Sequence, residues 1–186
     1  MKELSLNILD IAQNSIKAGA AHIGVFLEET ADTLEMTIRD DGCGMTQDVL
    51  RGVTDPFYTT RTTRSVGMGL PLLKLAAEQT GGSLSVSSVS EAVDPARHGT
   101  EVRALFYKHH LDFTPLCDVV STVCTLIQGA PQVDWHFRHT CPDGFAEADT
   151  AEMRAVLGDV PLDSFEVLDW LRQSLLEEYA GFTHTL

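Results

Sequence analysis

The chain has 186 residues, 44% of them hydrophobic and 22% charged, a balance that excludes a disordered tail, a collagen-like repeat and a coiled-coil rod. Lys and Arg number 13 against 27 Asp and Glu, a net charge of −14, which repels phosphate backbones and argues against nucleic acid as a partner. The acid is uneven: residues 1–108 carry 10 basic and 14 acidic side chains, leaving 3 and 13 for residues 109–186. The change of character near Lys108 predicts two regions, 1–108 and an acidic α+β stretch over 109–186.

Leu4–Ala18 reads as an amphipathic helix, with Ile8, Ile11, Ala12 and Ser15 on one side, Asp10, Asn14 and Lys17 on the other, and Gly19 as its stop. Strand patterns follow at His22–Leu27 and Leu34–Arg39, then the glycine-punctuated loop Asp40–Met45 and a short helix over Thr46–Val53. Asp55–Gly69 reads as a loop. Leu70–Thr80 is a second amphipathic helix ended by Gly81-Gly82, and strands are expected at Ser83–Ser88 and Thr100–Tyr107. Helices and strands do not alternate regularly as in a parallel-sheet protein, so the first region predicts an α/β layer sandwich. Beyond Lys108 the pattern predicts a helix at Leu116–Gln128, a strand at Gln132–Arg138 and a turn at Pro142-Asp143-Gly144. A short helix is then expected from Thr150 to Leu157, and a last one over Ser164–Tyr179, capped by Asp163 and striped by Phe165, Leu168, Leu171, Leu175 and Leu176.

Four cysteines (Cys43, Cys117, Cys124, Cys141) form no CxxC pair, so no zinc motif can be read from spacing. Glu3, Asn7 and Asp10 interrupt any signal-peptide core, and no apolar run approaches the length of a membrane span. The expectation is a cytoplasmic protein with reduced thiols and no membrane partner.

Four places carry chemistry. Asp10 and Asn14 stand four residues apart on one helix face, with Lys17 a turn later. An amide oxygen there can ligate Mg²⁺, a carboxylate can orient water, and an ammonium can neutralise phosphate; a solvated polar face is the plainer alternative. Asp40-Asp41-Gly42-Cys43-Gly44 follows a strand, so a carboxylate able to accept from an exocyclic amino group precedes two glycines that permit close approach of a flat ligand. Asp55-Pro56-Phe57-Tyr58-Thr59-Thr60-Arg61 leads to Gly67-Met68-Gly69-Leu70 at a helix start, where free N–H groups form a phosphate cradle that Arg61 and Arg64 could cover. Gly99-Thr100 opens the last strand of the region with a hydroxyl beside the glycine.

In order and spacing these segments resemble the nucleotide-binding boxes of the GHKL superfamily, which groups the ATPase component of DNA gyrase, the heat-shock chaperone ATPase, histidine kinases and MutL mismatch-repair proteins. The resemblance covers roughly residues 4–107; "DPFYTTR" and "GLPLLKLAAEQTGGSLSV" look most like sensor histidine kinases, "NSIKAGA" like MutL. It implies the Bergerat fold, a two-layer α/β sandwich in which a mixed sheet is covered by helices on one face, with the Phe57–Gly67 loop as an ATP lid, and ATP and Mg²⁺ as ligands. By resemblance Asn14 ligates Mg²⁺, Lys17 meets phosphates and Asp40 holds the adenine amino group. Gly42 and Gly44 admit the adenine, Phe57 closes its side, Gly67 and Gly69 (ahead of Leu70) receive phosphates, and Thr100 supports the base through water. Asp10 stands where hydrolysing branches carry glutamate, and Ser65 where a further lid glycine is common. The domain pattern starts within the first few residues, so the expectation is a stand-alone histidine-kinase-like ATPase without the phosphoacceptor hairpin. It would act on an unidentified partner protein, either as a kinase in trans or by changing its grip on it with nucleotide state. A MutL-like hydrolytic switch and a non-catalytic nucleotide sensor are the alternatives, and the oligomeric state stays open.

Overall fold

The computed structural model describes residues 3–54 and 69–182. Its frame is a sheet of six strands: β1 (His22–Glu29), β2 (Thr33–Asp40), β3 (Ser83–Val89), β4 (Gly99–Tyr107), β5 (Asp134–Cys141) and β6 (Gly144–Asp149). Their order is β3-β4-β2-β1-β5-β6. β1 runs parallel to β5, and every other neighbouring pair is antiparallel. Period-two alternation puts Ile23, Val25 and Leu27 of β1, Leu34, Met36 and Ile38 of β2, and Trp135 and Phe137 of β5 on one buried face. The opposite face carries charge, including Arg39 bonded to Glu101 at 2.7 Å and Arg138 beside Glu147 at 3.2 Å.

The apolar face is covered by α1 (Leu4–Lys17), α3 (Gly69–Gln79), α4 (Val119–Gly129) and α6 (Phe165–Tyr179), which share one continuous core with it. Two shorter helices, α2 (Gln47–Gly52) and α5 (Thr150–Leu157), complete the elements. This is the mixed-sheet, two-layer Bergerat α/β architecture. α1 is fixed by burying Leu4, Ile8, Ile11 and Ala12. Truncating Ile8, which is fully buried, would cost about 2–5 kcal/mol.

Residues beyond 108 extend the same sheet, with β5 paired along β1 from His22↔Asp134 to Glu28↔Thr140. Three details of the elements differ from the sequence expectation. β6 was not expected, since its buried positions are the small Ala146 and Ala148 while Phe145 is half exposed under the Arg138 guanidinium, 4.2 Å from the ring centre. α6 buries Val167, Leu171, Leu175 and Tyr179, leaving Phe165 and Leu176 exposed. Its stripe is therefore rotated relative to the expected one, and it begins after Ser164 rather than under an Asp163 cap. The cap of α5 is Asp149, whose carboxylate accepts from the Ala151 and Glu152 N–H groups, with Thr150 turned inward to accept from Trp135 N–H at 2.7 Å.

Candidate functional site

β2 ends at Asp40, and β4 sets Thr100 directly opposite it. Both side chains point to the helix-covered face, where α1 lies. Ser15, 3% exposed on the apolar side of α1, donates its hydroxyl proton to Asp40 Oδ2 at 2.6 Å. Gly42 N–H donates to Asp40 Oδ1 at 3.0 Å. Each carboxylate oxygen thus keeps accepting capacity while its direction is set from both sides. Ser88, buried on β3, donates to Gly99 O at 2.9 Å, accepts from Met45 N–H at 2.8 Å and lies 2.9 Å from Thr100 Oγ1. One hydroxyl therefore ties the strand-end loop to β4. His98 Nδ1–H donates to Gly42 O at 2.7 Å and pins the loop from outside.

The loop glycines are demanded by space. Gly44 has φ +65°, and a Cβ there would stand 1.9 Å from Val89 O. A Cβ on Gly42 would meet Ala18 Cβ at 2.8 Å. At the start of α3, a Cβ on Gly69 would come within 3.2 Å of Asp10 Cβ, so the free N–H groups of that first turn lie against the polar face of α1.

Between α1, the Asp40–Met45 loop and α3 lies a cleft of about 250 Å³, lined by Asn14, Lys17, Asp40, Gly44, Leu70 and Thr100. Those six residues, spread over 87 positions of sequence, are brought together. Asp10, Gly42 and Gly69 are not among its lining residues: Asp10 is exposed beside Gly69, and Gly42 is buried against Ala18 and the Asp40 side chain. Phe57, Arg61 and Gly67 lie outside the described residues. Sequence reasoning missed Ser15, Ser88 and the apolar wall of Met45, Val49 and Val53. For Ser15 a signal was present: a hydroxyl in the middle of an apolar helix stripe. The donor set suits a magnesium nucleotide. Asn14 contributes a neutral hard oxygen and Lys17 a cation at the cleft wall, and the absence of a side chain on Gly69 lets the start of α3 come close to Asp10 of α1.

A larger hollow of about 430 Å³ lies on the other side of the Asp40–Asp41 strand end, among His22, Gly24, Arg39, Asp41, Asp134 and His136. His22 Nδ1 is 2.7 Å from Asp41 Oδ2. That bond raises the His22 pKa. Burial pulls the Asp41 carboxyl upward, but the bonds from His22 and Ala21 prevail and hold it below its usual value. The bond from His136, with Arg138 beside it, holds Glu147 low in the same way. This hollow is an ion-paired surface without glycine cradle or helix start, so the smaller cleft is the candidate site.

Comparison with known proteins points the same way. The family model described as "Histidine kinase-, DNA gyrase B-, and HSP90-like ATPase" matches residues 2–110. Sensor histidine kinase ZraS of Escherichia coli O157:H7 is 30% identical over 84 residues, covering 44% of this chain and 18% of that protein. Sporulation kinase E of Bacillus subtilis is 31% identical over 88 residues, covering 47% of this chain and 12% of its own length. The match thus spans less than a fifth of these relatives. Among solved structures, the N-terminal domain of a DNA repair protein superposes with a TM-score of 0.56 at 17% identity, covering 80% of this chain and 52% of that one, which is a likeness of fold. No helix among the described residues is long and apolar enough to cross a membrane.

Proposed function

The chain belongs to the histidine kinase-, DNA gyrase B- and HSP90-like ATPase family, and on that premise we propose that it binds Mg²⁺–ATP in the α1–α3 cleft and uses it to act on a partner protein. One observation carries the reading: Asp40 and Thr100 from the sheet meet Asn14 and Lys17 from α1 in one cleft. Asp40, aimed by Ser15 and Gly42, accepts from the adenine amino group. Asn14 holds the metal through its amide oxygen, Lys17 pairs with phosphate, and the α3 start presents N–H donors to the same charge. The metal, when bound, offsets the negative charge of the transferring phosphoryl group.

Adenine should be preferred over guanine, because guanine presents a carbonyl oxygen to Asp40 where adenine presents an N–H donor. Calorimetric titration with ATP and GTP checks this, and equal affinities would remove the assignment. Incubation of the chain with γ-labelled ATP and partner candidates tests the kinase reading through transfer of label to protein.

A second reading, hydrolysis driving a conformational switch, is favoured by the placing of the Asp10 carboxylate beside Gly69, with Oδ2 3.8 Å from where a Cβ would stand. Asp10 can orient water there, but with one methylene less than glutamate, and a misplacement of about 1 Å costs on the order of a hundredfold in rate. Slow intrinsic hydrolysis is therefore expected, rising in Asp10→Glu. If Asp10→Ala releases phosphate as fast as the parent, Asp10 holds no water and the switch reading loses its support.

A further inference from the structure

At the far end of β1 from the cleft, about 20 Å along the strand at ~3.3 Å per residue, three unlike side chains converge. Glu29 follows Leu27 on the helix-covered face of β1, and His139 and Cys141 stand two apart on the same face of β5. His139 is fully buried and Cys141 nearly so, and the Glu29 side chain is 10% exposed. His139 Nε2 lies 3.2 Å from Glu29 Oε2 and 3.4 Å from Cys141 Sγ, and Sγ lies 3.9 Å from that same oxygen.

We propose that Glu29, His139 and Cys141 form a binding site for one zinc-class divalent cation. The three ligating atoms make a closed triangle. Tetrahedral zinc with Zn–N and Zn–O near ~2.1 Å and Zn–S near ~2.3 Å sets neighbouring ligand atoms about 3.3–3.6 Å apart, which is the size of this triangle to within a few tenths of an ångström. All three corners are atoms of the kinds that zinc takes as ligands. Thiolate, imidazole and carboxylate together also select zinc over magnesium or calcium.

The surroundings hold each ligand in a metal-ready orientation. His139 Nδ1 is 2.8 Å from Tyr179 Oη, so the ring's second nitrogen has a partner of the kind that fixes the tautomer of a ligating histidine. Phe182 packs edge-on against both rings, at 6.3 Å from His139 and 5.1 Å from Tyr179. Lys108 Nζ bonds Glu29 Oε1 and Thr30 O, so that Oε2 is the oxygen turned toward the other two ligands. Binding displaces the Cys141 thiol proton, so that sulfur ligates as thiolate, and also the Nε2–H proton that bridges His139 to Glu29, so that Nε2 ligates through its lone pair with Nδ1–H turned to Tyr179 Oη. The fourth position, with three protein ligands filled, takes water.

The test is titration of the metal-stripped full chain with Co²⁺, followed by displacement with Zn²⁺. One Co²⁺ per chain is expected, with a thiolate-to-cobalt charge-transfer band that Zn²⁺ abolishes and a melting temperature that rises with Zn²⁺. Cys141→Ser and the near-isosteric Glu29→Gln should each weaken binding at least tenfold, and Cys141→Ser should lose the band, whereas Cys43→Ser and Cys124→Ser should leave both unchanged. Absence of saturable binding in the parent, or an undiminished band in folded Cys141→Ser, overturns the proposal.

Discussion

Replacing Asp40 with asparagine tests the cleft most directly, because the structure separates its effect on folding from its effect on ligand. Asparagine keeps one oxygen, and the Gly42 N–H at 3.0 Å claims it, since an NH₂ group there would oppose a donor. The new NH₂ then faces Ser15 Oγ, which can turn its own proton toward Ile11 O at 3.5 Å and become the acceptor. The fold therefore loses little, less than about 1 kcal/mol, the scale of one neutral hydrogen bond rearranged. The ligand loses more. The oxygen able to accept from an adenine amino group becomes a donor, and removing a charge-assisted bond costs about 1.5–3 kcal/mol, or roughly a tenfold to hundredfold weakening of Kd. Isothermal titration with ATP gives the affinity and urea denaturation gives the stability. Asp40→Asn binding ATP within threefold of the parent, with fold intact, would falsify the adenine role of Asp40.

Asn14→Ala should abolish the Mg²⁺-dependent part of ATP affinity, measured by titration with and without chelator, while the unliganded melting temperature stays within a few degrees, because Asn14 is only half buried at the cleft wall. Gly44→Ala should destabilise the chain by more than about 2 kcal/mol in urea, since φ +65° already costs a non-glycine about 1–2 kcal/mol and its Cβ would overlap Val89 O. The His22–Asp41 pair predicts a pH signature. His22 is raised above 6.5, so its contribution is complete below 6.5 and fades as pH climbs through the folded value; Asp41 is lowered below 3.8, so its contribution is complete above 3.8 and fades as pH falls. The stability difference between the parent and His22→Gln should therefore peak between those values, and stay under about 1 kcal/mol because the pair is exposed. A difference that grows above neutral pH would contradict the pairing.

The first seven elements were legible because each is a local pattern with its own punctuation. α1 was expected over Leu4–Ala18 and runs Leu4–Lys17, and β4 was expected from Thr100 and starts at Gly99. The cleft was legible for the same reason: its glycines and charged residues sit at strand ends and helix starts, where local signals are strong. What escaped were the residues whose role is set by distant neighbours. Ser88 reads as one serine among several in β3, and only the approach of β4 and Met45 makes it a junction. β6 escaped because alanines bury as well as leucines where the layer above is close, and a phenylalanine outside them inverts the expected alternation. Glu29 and His139 are 110 residues apart in sequence, beyond any spacing rule for metal ligands.

The parallel pairing of β1 with β5 has a consequence for anyone dissecting the chain. A fragment cut after Lys108 would retain every cleft residue, yet it would strip β1 of its neighbour and leave seven paired positions, His22 to Glu28, as an open edge. Such an edge templates association with other chains. The same cut uncovers the side of α1 against which α4 packs, so residues beyond 108 shield both a sheet edge and a helix face from solvent and from other chains.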